Sequence, residues 1–111
     1  MDTEQGLAFV DGDKDLYKIL LDAYLEENTL EEKPLLELIE KNELEAAAKI
    51  VHKAKGASYQ IGAKAIGDAG QELESALRGK TELDKIAMKI LARGFAADVN
   101  KCREEVKNLK L

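Results

Sequence analysis

The chain has 111 residues, a formal net charge of -5, one histidine, one cysteine and one proline. That length suits a single domain over residues 1–111 whose core needs no covalent staple, and the acidic balance excludes general nucleic-acid binding, which requires basic stripes against phosphates. Cys102 has no partner for an intramolecular bridge, no apolar run approaches the roughly 18 residues of a membrane span, and Met1-Asp2-Thr3-Glu4-Gln5 lacks the regions of a signal peptide, so a monomer in the reducing cytoplasm, with no membrane contact, is expected.

Abundant Ala, Leu, Glu and Lys, with no alternating β-branched runs, predict an all-α chain. A short opening helix is expected over residues 2–9, followed by the turn Asp11-Gly12-Asp13. Leu16, Leu20, Ala23 and Tyr24 mark a second helix with an apolar stripe, ended or bent at Asn28-Thr29. Thr29 and Glu32 have the form of a capping box, but Pro34 would clash inside a helix begun at Thr29, so a kink or a restart near Pro34 is expected. Leu35, Leu38 and Ile39 carry this third segment to Asn42, read as the N-cap of a fourth helix over residues 43–59.

In that fourth helix Leu44, Ala47, Val51, Ala54, Ser58 and Ile61 recur at spacings of three and four, which predicts a buried stripe of mostly small residues. His52 lies about 100° from the stripe, toward solvent. Residues 60–62 form a turn, and a fifth helix over residues 63–78 points Ile66, Ala69, Leu73 and Leu77 inward before Gly79 closes it. Thr81 is read as the cap of a long last helix with Leu83, Ile86, Ile90, Phe95, Val99, Cys102, Val106 and Leu109 inward and Gly94 as a candidate bend. Short connections favour antiparallel neighbours, so the four longest units are expected to form an antiparallel up-down four-helix bundle with a short N-terminal helix. The histidine helix and its successor form the central hairpin.

His52 carries the chemical interest. Residues three and four apart share a helix face, so Lys55 and Gly56 sit one turn above it and Ala48 one turn below. Side chains lean toward the N-terminus, and a bulky residue at position 56 would cover the ring. Glycine there costs about 1 kcal/mol relative to alanine and points to close approach by another molecule or by backbone. Between Glu45 and Asp68 there is no acidic residue, whereas Lys49, Lys53, Lys55 and Lys64 all fall there. Such lysines ordinarily solvate a helix face, but here they surround the histidine.

A lone histidine is more often a plain surface or core residue than a working group. Position 52 lies off the apolar stripe, which disfavours a core role. No His, Cys or carboxylate occurs three or four residues away, which disfavours a metal. Ser58 is nearly two turns off, too far for a hydrolytic pair. What remains is the imidazole as nucleophile: a neutral ring nitrogen accepts a phosphoryl group, whose charge an adjacent lysine attracts.

The run His52-Lys53-Ala54-Lys55-Gly56-Ala57-Ser58-Tyr59-Gln60-Ile61-Gly62 resembles the H-x-x-K-G-x-[SA]-x-x-[ILF]-G signature of histidine phosphotransfer (HPt) domains. Gly12-Asp13 followed by Leu16-Tyr17 and Leu20-Leu21, the Leu73-Glu74 pair and the chain length extend the resemblance over essentially the whole chain. It implies that His52 is the phosphoryl acceptor, Lys55 the phosphate-attracting lysine and Gly56 the spacer that admits a receiver domain, with Ser58 and Gly62 at small and turn positions. Lys49, Lys53, Tyr59 and Gln60 would contribute to the docking face, and Tyr59 and Ala48 are expected to give it a dry centre. Glu74 matches a position whose carboxylate or amide can lie near the imidazole and orient it; the alternative is an ordinary solvated glutamate. Ala54 departs from the leucine common in the signature, and Gly67 and Gly70 thin the neighbouring helix, so the central hairpin is expected to be either unusually close-packed or unusually loose.

The implied function is that of a phosphocarrier in a multistep two-component relay, with no catalytic activity and no cofactor of its own. Its partners would be receiver domains of response regulators or hybrid histidine kinases, and Mg²⁺ is expected on the receiver. Two other readings stay open. One is the phosphoacceptor module of a chemotaxis-type histidine kinase, and the other is a non-phosphorylated helical interaction domain.

Overall fold

Short polar signals and left-handed residues punctuate this chain into helices. The computed structural model describes residues 1–109, and in it α1 (Thr3–Ala8), α2 (Lys14–Glu27), α3 (Glu32–Glu40), α4 (Leu44–Gln60), α5 (Lys64–Leu77) and α6 (Lys85–Lys107) follow in order. No strand occurs among the described residues. Asp2, Asp13 and Asp84 accept from the backbone N–H groups of Gln5, Leu16 and Ala87, which caps α1, α2 and α6. The cap of α6 is therefore Asp84 and not Thr81.

The C-terminal ends of α3, α4 and α5 all close in one way. Asn42 (φ 60°), Gly62 (φ 89°) and Gly79 (φ 76°) adopt left-handed backbone just past each helix. The N–H groups of each and of its successor return to the last turn, as in Gly62 to the Tyr59 carbonyl and Ala63 to the Ser58 carbonyl. Asn42 thus terminates α3 instead of capping α4, because its N–H and that of Glu43 are drawn back to Ile39 and Leu38. Pro34 sits in the first turn of α3, where a backbone N–H has no intrahelical acceptor to lose, so the chain restarts there without a kink.

Pairs of contacts set the directions. His52–Glu74, Lys55–Gln71 and Tyr59–Asp68 join α4 to an antiparallel α5. Lys89–Glu40, Arg93–Glu32 and Asn100 to the Leu30 carbonyl join α6 to an antiparallel α3. Arg103 then reaches the Leu25 carbonyl, so α2 continues the line of α3 along α6. The bundle has four corners, one of them split between α2 and α3 at the Asn28–Glu31 break. It is elongated, 42 × 23 × 17 Å. α1 lies across the end near the α4–α5 turn, with the Asp2 N–H donating to the Gly62 carbonyl.

The core contains Tyr17, Tyr24, Leu35, Ile39, Val51, Leu73, Phe95 and Val99, and buried Cys102 is a free thiol within it. Two of the predicted inward stripes hold only in part. In α6 Phe95, Val99, Cys102 and Val106 are buried as expected, but the first half of the helix buries Met88 and Ala92 instead of Ile86 and Ile90, which are 72% and 66% exposed on the opposite side, and Leu83 is exposed ahead of the helix. α2 buries Tyr17, Leu21 and Tyr24 and leaves Leu16 exposed. Tyr24 is buried as expected, and Tyr17 takes the place expected of Leu16 because its hydroxyl finds a partner at the end of α4, donating to the Ile61 carbonyl at 2.7 Å. The Ser58 hydroxyl donates to the Ala54 carbonyl, so the Tyr24 hydroxyl is the donor to Ser58, at 3.1 Å.

Candidate functional site

The site begins with how closely α4 and α5 approach. A Cβ at Gly67 would lie 2.5 Å from the Tyr59 ring, and one at Gly70 would lie 2.9 Å from Phe95 and 3.0 Å from the Lys55 Cβ. Neither position has room for a side chain, so the hairpin is close-packed and the expectation of an unusual hairpin resolves in that direction. The approach brings the middle of α5 within reach of the histidine.

There Glu74, whose side chain is only 9% exposed, places Oε1 and Oε2 at 3.1 and 3.2 Å from His52 Nδ1. Lys55 Nζ lies 2.9 Å from the same Oε1 and donates to Gln71 Oε1 at 2.8 Å. Arg78 Nε donates to Glu74 Oε2 at 2.9 Å. Burial by itself pushes the Glu74 carboxyl up, but hydrogen bonds from Lys55, Arg78 and His52 outweigh it and hold the group down at about 2. The carboxylate is therefore ionised at neutral pH and accepts only. The nitrogen facing it carries a proton, so whenever the ring is neutral the geometry assigns the Nδ1–H tautomer and leaves the lone pair on Nε2.

The His52 side chain is 63% exposed despite this buried anchor. Lys49, Lys53 and Gln60 are also exposed and, by helical phase, share the outward ridge of α4 with His52 and Gly56. A Cβ at Gly56 would meet nothing within 4 Å. Intramolecular packing does not require a glycine at this helical position.

Three expected residues occupy different surroundings from those the sequence suggested. Lys55 sits on the α5 side of His52 with its side chain 14% exposed, its ammonium bound between Glu74 and Gln71. Tyr59 is half-buried, its ring against Gly67 and its hydroxyl donating to Asp68 at 2.6 Å. Ala48, expected at the surface beside the ring, is fully buried, because it lies toward the α5 side of α4, so it offers nothing to a visiting surface. A cleft between the α2–α3 break and α4, bounded by Asn28, Leu30, Pro34, Ile50 and Lys53, adjoins the histidine ridge instead.

Sequence reasoning missed Arg78, Glu45, Gln71 and Asp68. The Glu74–Arg78 spacing of four was a local signal, whereas Arg78–Glu45 spans 33 residues and has none. No cluster of three or more His, Cys, Asp or Glu placed to hold a metal ion occurs among the described residues. No helix among them is long and apolar enough to cross a membrane.

No curated protein and no solved structure matches the chain significantly. The family model of the Hpt domain matches residues 19–110, a span that contains the whole α4–α5 hairpin and its Glu74-anchored histidine, and the chain therefore belongs to the Hpt domain family, whose members serve histidine phosphotransfer in phosphorelays.

Proposed function

We propose that this chain is a histidine-containing phosphocarrier, accepting a phosphoryl group on His52 from a receiver-domain aspartate and passing it to a second receiver. The observation that carries the reading is the exposed imidazole with Nδ1 held by a buried carboxylate, an arrangement that reserves Nε2 as the nucleophilic nitrogen. In the forward step the Nε2 lone pair attacks phosphorus, the bond from phosphorus to the aspartyl oxygen breaks, and the aspartate leaves as a carboxylate. The proton on Nδ1 stays where it is. Positive charge that develops on the ring falls against Glu74, so the carboxylate stabilises the product as well as the orientation. Mg²⁺ bound by the receiver would offset charge on the phosphoryl group.

On this reading Lys49 and Lys53 flank the phosphoryl group on the outward ridge, Gln60 borders it, and open space at Gly56 admits the receiver backbone. Tyr59 supports the hairpin through Asp68. Lys55 serves the site through Glu74 before transfer and, held one turn from His52, supplies positive charge to the phosphoryl group after it. The cleft beside Ile50 and Lys53 gives the partner an apolar footing next to the histidine. The chain acts without catalysing turnover alone, since the receiver brings the leaving group and the metal.

Incubation with a phosphorylated receiver tests this. Acid-labile, alkali-stable label is expected on the wild-type chain and none on His52→Gln, whereas equal labelling of both overturns the assignment. The Glu74 contact also supports a second reading, in which an ATP-binding kinase domain charges His52 directly. Labelling from ATP and an isolated kinase domain, with no receiver present, separates the two.

A further inference from the structure

Arg78, the C-cap of α5, binds in two directions at once. Its Nε donates to Glu74 Oε2 at 2.9 Å, and its Nη1 donates to Glu45 Oε1 and Oε2 at 3.0 and 3.2 Å. Glu45 lies in the first turn of α4, on the same helix as His52 and two turns before it. One planar cation therefore ties the start of the histidine helix to the carboxylate that faces the histidine.

The consequence for Glu74 is geometric. Lys55 holds Oε1 and Arg78 holds Oε2, so a different cation occupies each oxygen and the carboxylate plane cannot turn about its last torsion. Its acceptor lone pairs then keep a constant direction at Nδ1. With Arg78 absent, nothing but the ring nitrogen at 3.2 Å would hold Oε2, and the group could rotate toward the Lys55 ammonium. A lysine at position 78 would supply charge but no fork, and could not bond both carboxylates in one plane.

We propose that Arg78 is a positioning residue for His52, using its bridge between Glu45 and Glu74 to hold the carboxylate that keeps the proton on Nδ1 and Nε2 bare. The effect on transfer rests on the phosphocarrier reading; the effect on the ring does not. Two readouts keep them apart. Long-range ¹H–¹⁵N spectra of the neutral imidazole report the tautomer, and label acceptance from a phosphorylated receiver reports the chemistry, with thermal melts confirming that each variant is folded.

In the wild type the Nδ1–H form is expected to dominate. Arg78→Gln is expected to give a mixture of tautomers and about tenfold slower acceptance. Arg78→Lys should leave the spectrum mixed, and Glu45→Gln should move both readouts the same way by less. The double variant should be no worse than Arg78→Gln alone, because both substitutions break one bridge. A wild-type spectrum and rate in Arg78→Gln overturn the proposal, as does full restoration by Arg78→Lys or a double variant with the summed losses. A tautomer shift in Arg78→Gln when even the wild type takes no label supports the positioning role and refutes the phosphocarrier reading.

Discussion

The two sides of α4 obey opposite rules. Toward α5 every group is accounted for: Gly67 and Gly70 have no space for a Cβ, and Glu74 is held by three cationic or protonated partners. On the outward ridge Lys49, His52, Lys53 and Gln60 stand in solvent, and a Cβ at Gly56 would touch nothing. His52 belongs to both, with one nitrogen in the closed side and one in the open side. Glycine means different things across this divide. The α5 glycines let two helices approach so that a carboxylate reaches the ring, while Gly56 satisfies no demand within the chain and leaves the ring reachable.

Crowding the closed side should damage the molecule most. Gly70→Val drives methyl groups into Phe95 and the Lys55 stem, and is expected to cost at least about 3 kcal/mol, the upper end of ordinary overpacking. It should also push α5 away and remove the His52–Glu74 hydrogen bond, a pair of changes that urea denaturation and imidazole spectra would record.

Acid is a gentler probe of the same side. The folded Glu74 carboxyl is held at about 2, below its ordinary 4.5, so the unfolded chain takes up this proton first as pH falls. The stability it contributes is complete above about 4.5 and is lost as pH drops toward about 2. Thermal melts across that window should show a falling midpoint in the wild type and a shallower fall in Glu74→Gln. Equal slopes would mean that the carboxylate is not held as described.

The open side should tolerate substitution with little change in stability. Gly56→Ala is expected to stabilise the helix by up to about 1 kcal/mol, since alanine is the better helix former and its methyl meets open space. Gly56→Leu should stay folded yet lose receiver binding, because a long side chain leans back over the ring. Loss of stability in Gly56→Ala would show that this side is not open after all.

The sequence reached further into the open side than into the closed one. The histidine motif, Gly62 and Gly79 are local signals, and spacing alone placed His52 off the buried stripe of α4. Phase was harder where a helix carried two apolar rows. In the first half of α6 the row containing Ile86 and Ile90 looks as apolar as the row of Met88 and Ala92 that shares a face with the correctly placed Phe95. The packing of Phe95 against Gly70 decides between them, and that contact crosses helices. In α2 spacing placed Tyr24 inward correctly but favoured Leu16 on hydrophobicity over Tyr17, whose hydroxyl partner at the end of α4 decided the outcome. Apart from the Glu74–Arg78 pair, the contacts around Glu74 join residues 16 to 33 apart, beyond any helical period, so Lys55 read as a free charge beside the histidine when it is bound across the hairpin.

Phosphoryl transfer depends on which ring nitrogen is available, and phosphorus–nitrogen coupling reads that directly. With the chain labelled with ¹⁵N at histidine and charged by a phosphorylated receiver, ³¹P–¹⁵N coupling is expected at Nε2 of His52, with Nδ1 still carrying hydrogen. Phosphorus on Nδ1, or on any residue other than His52, would contradict it.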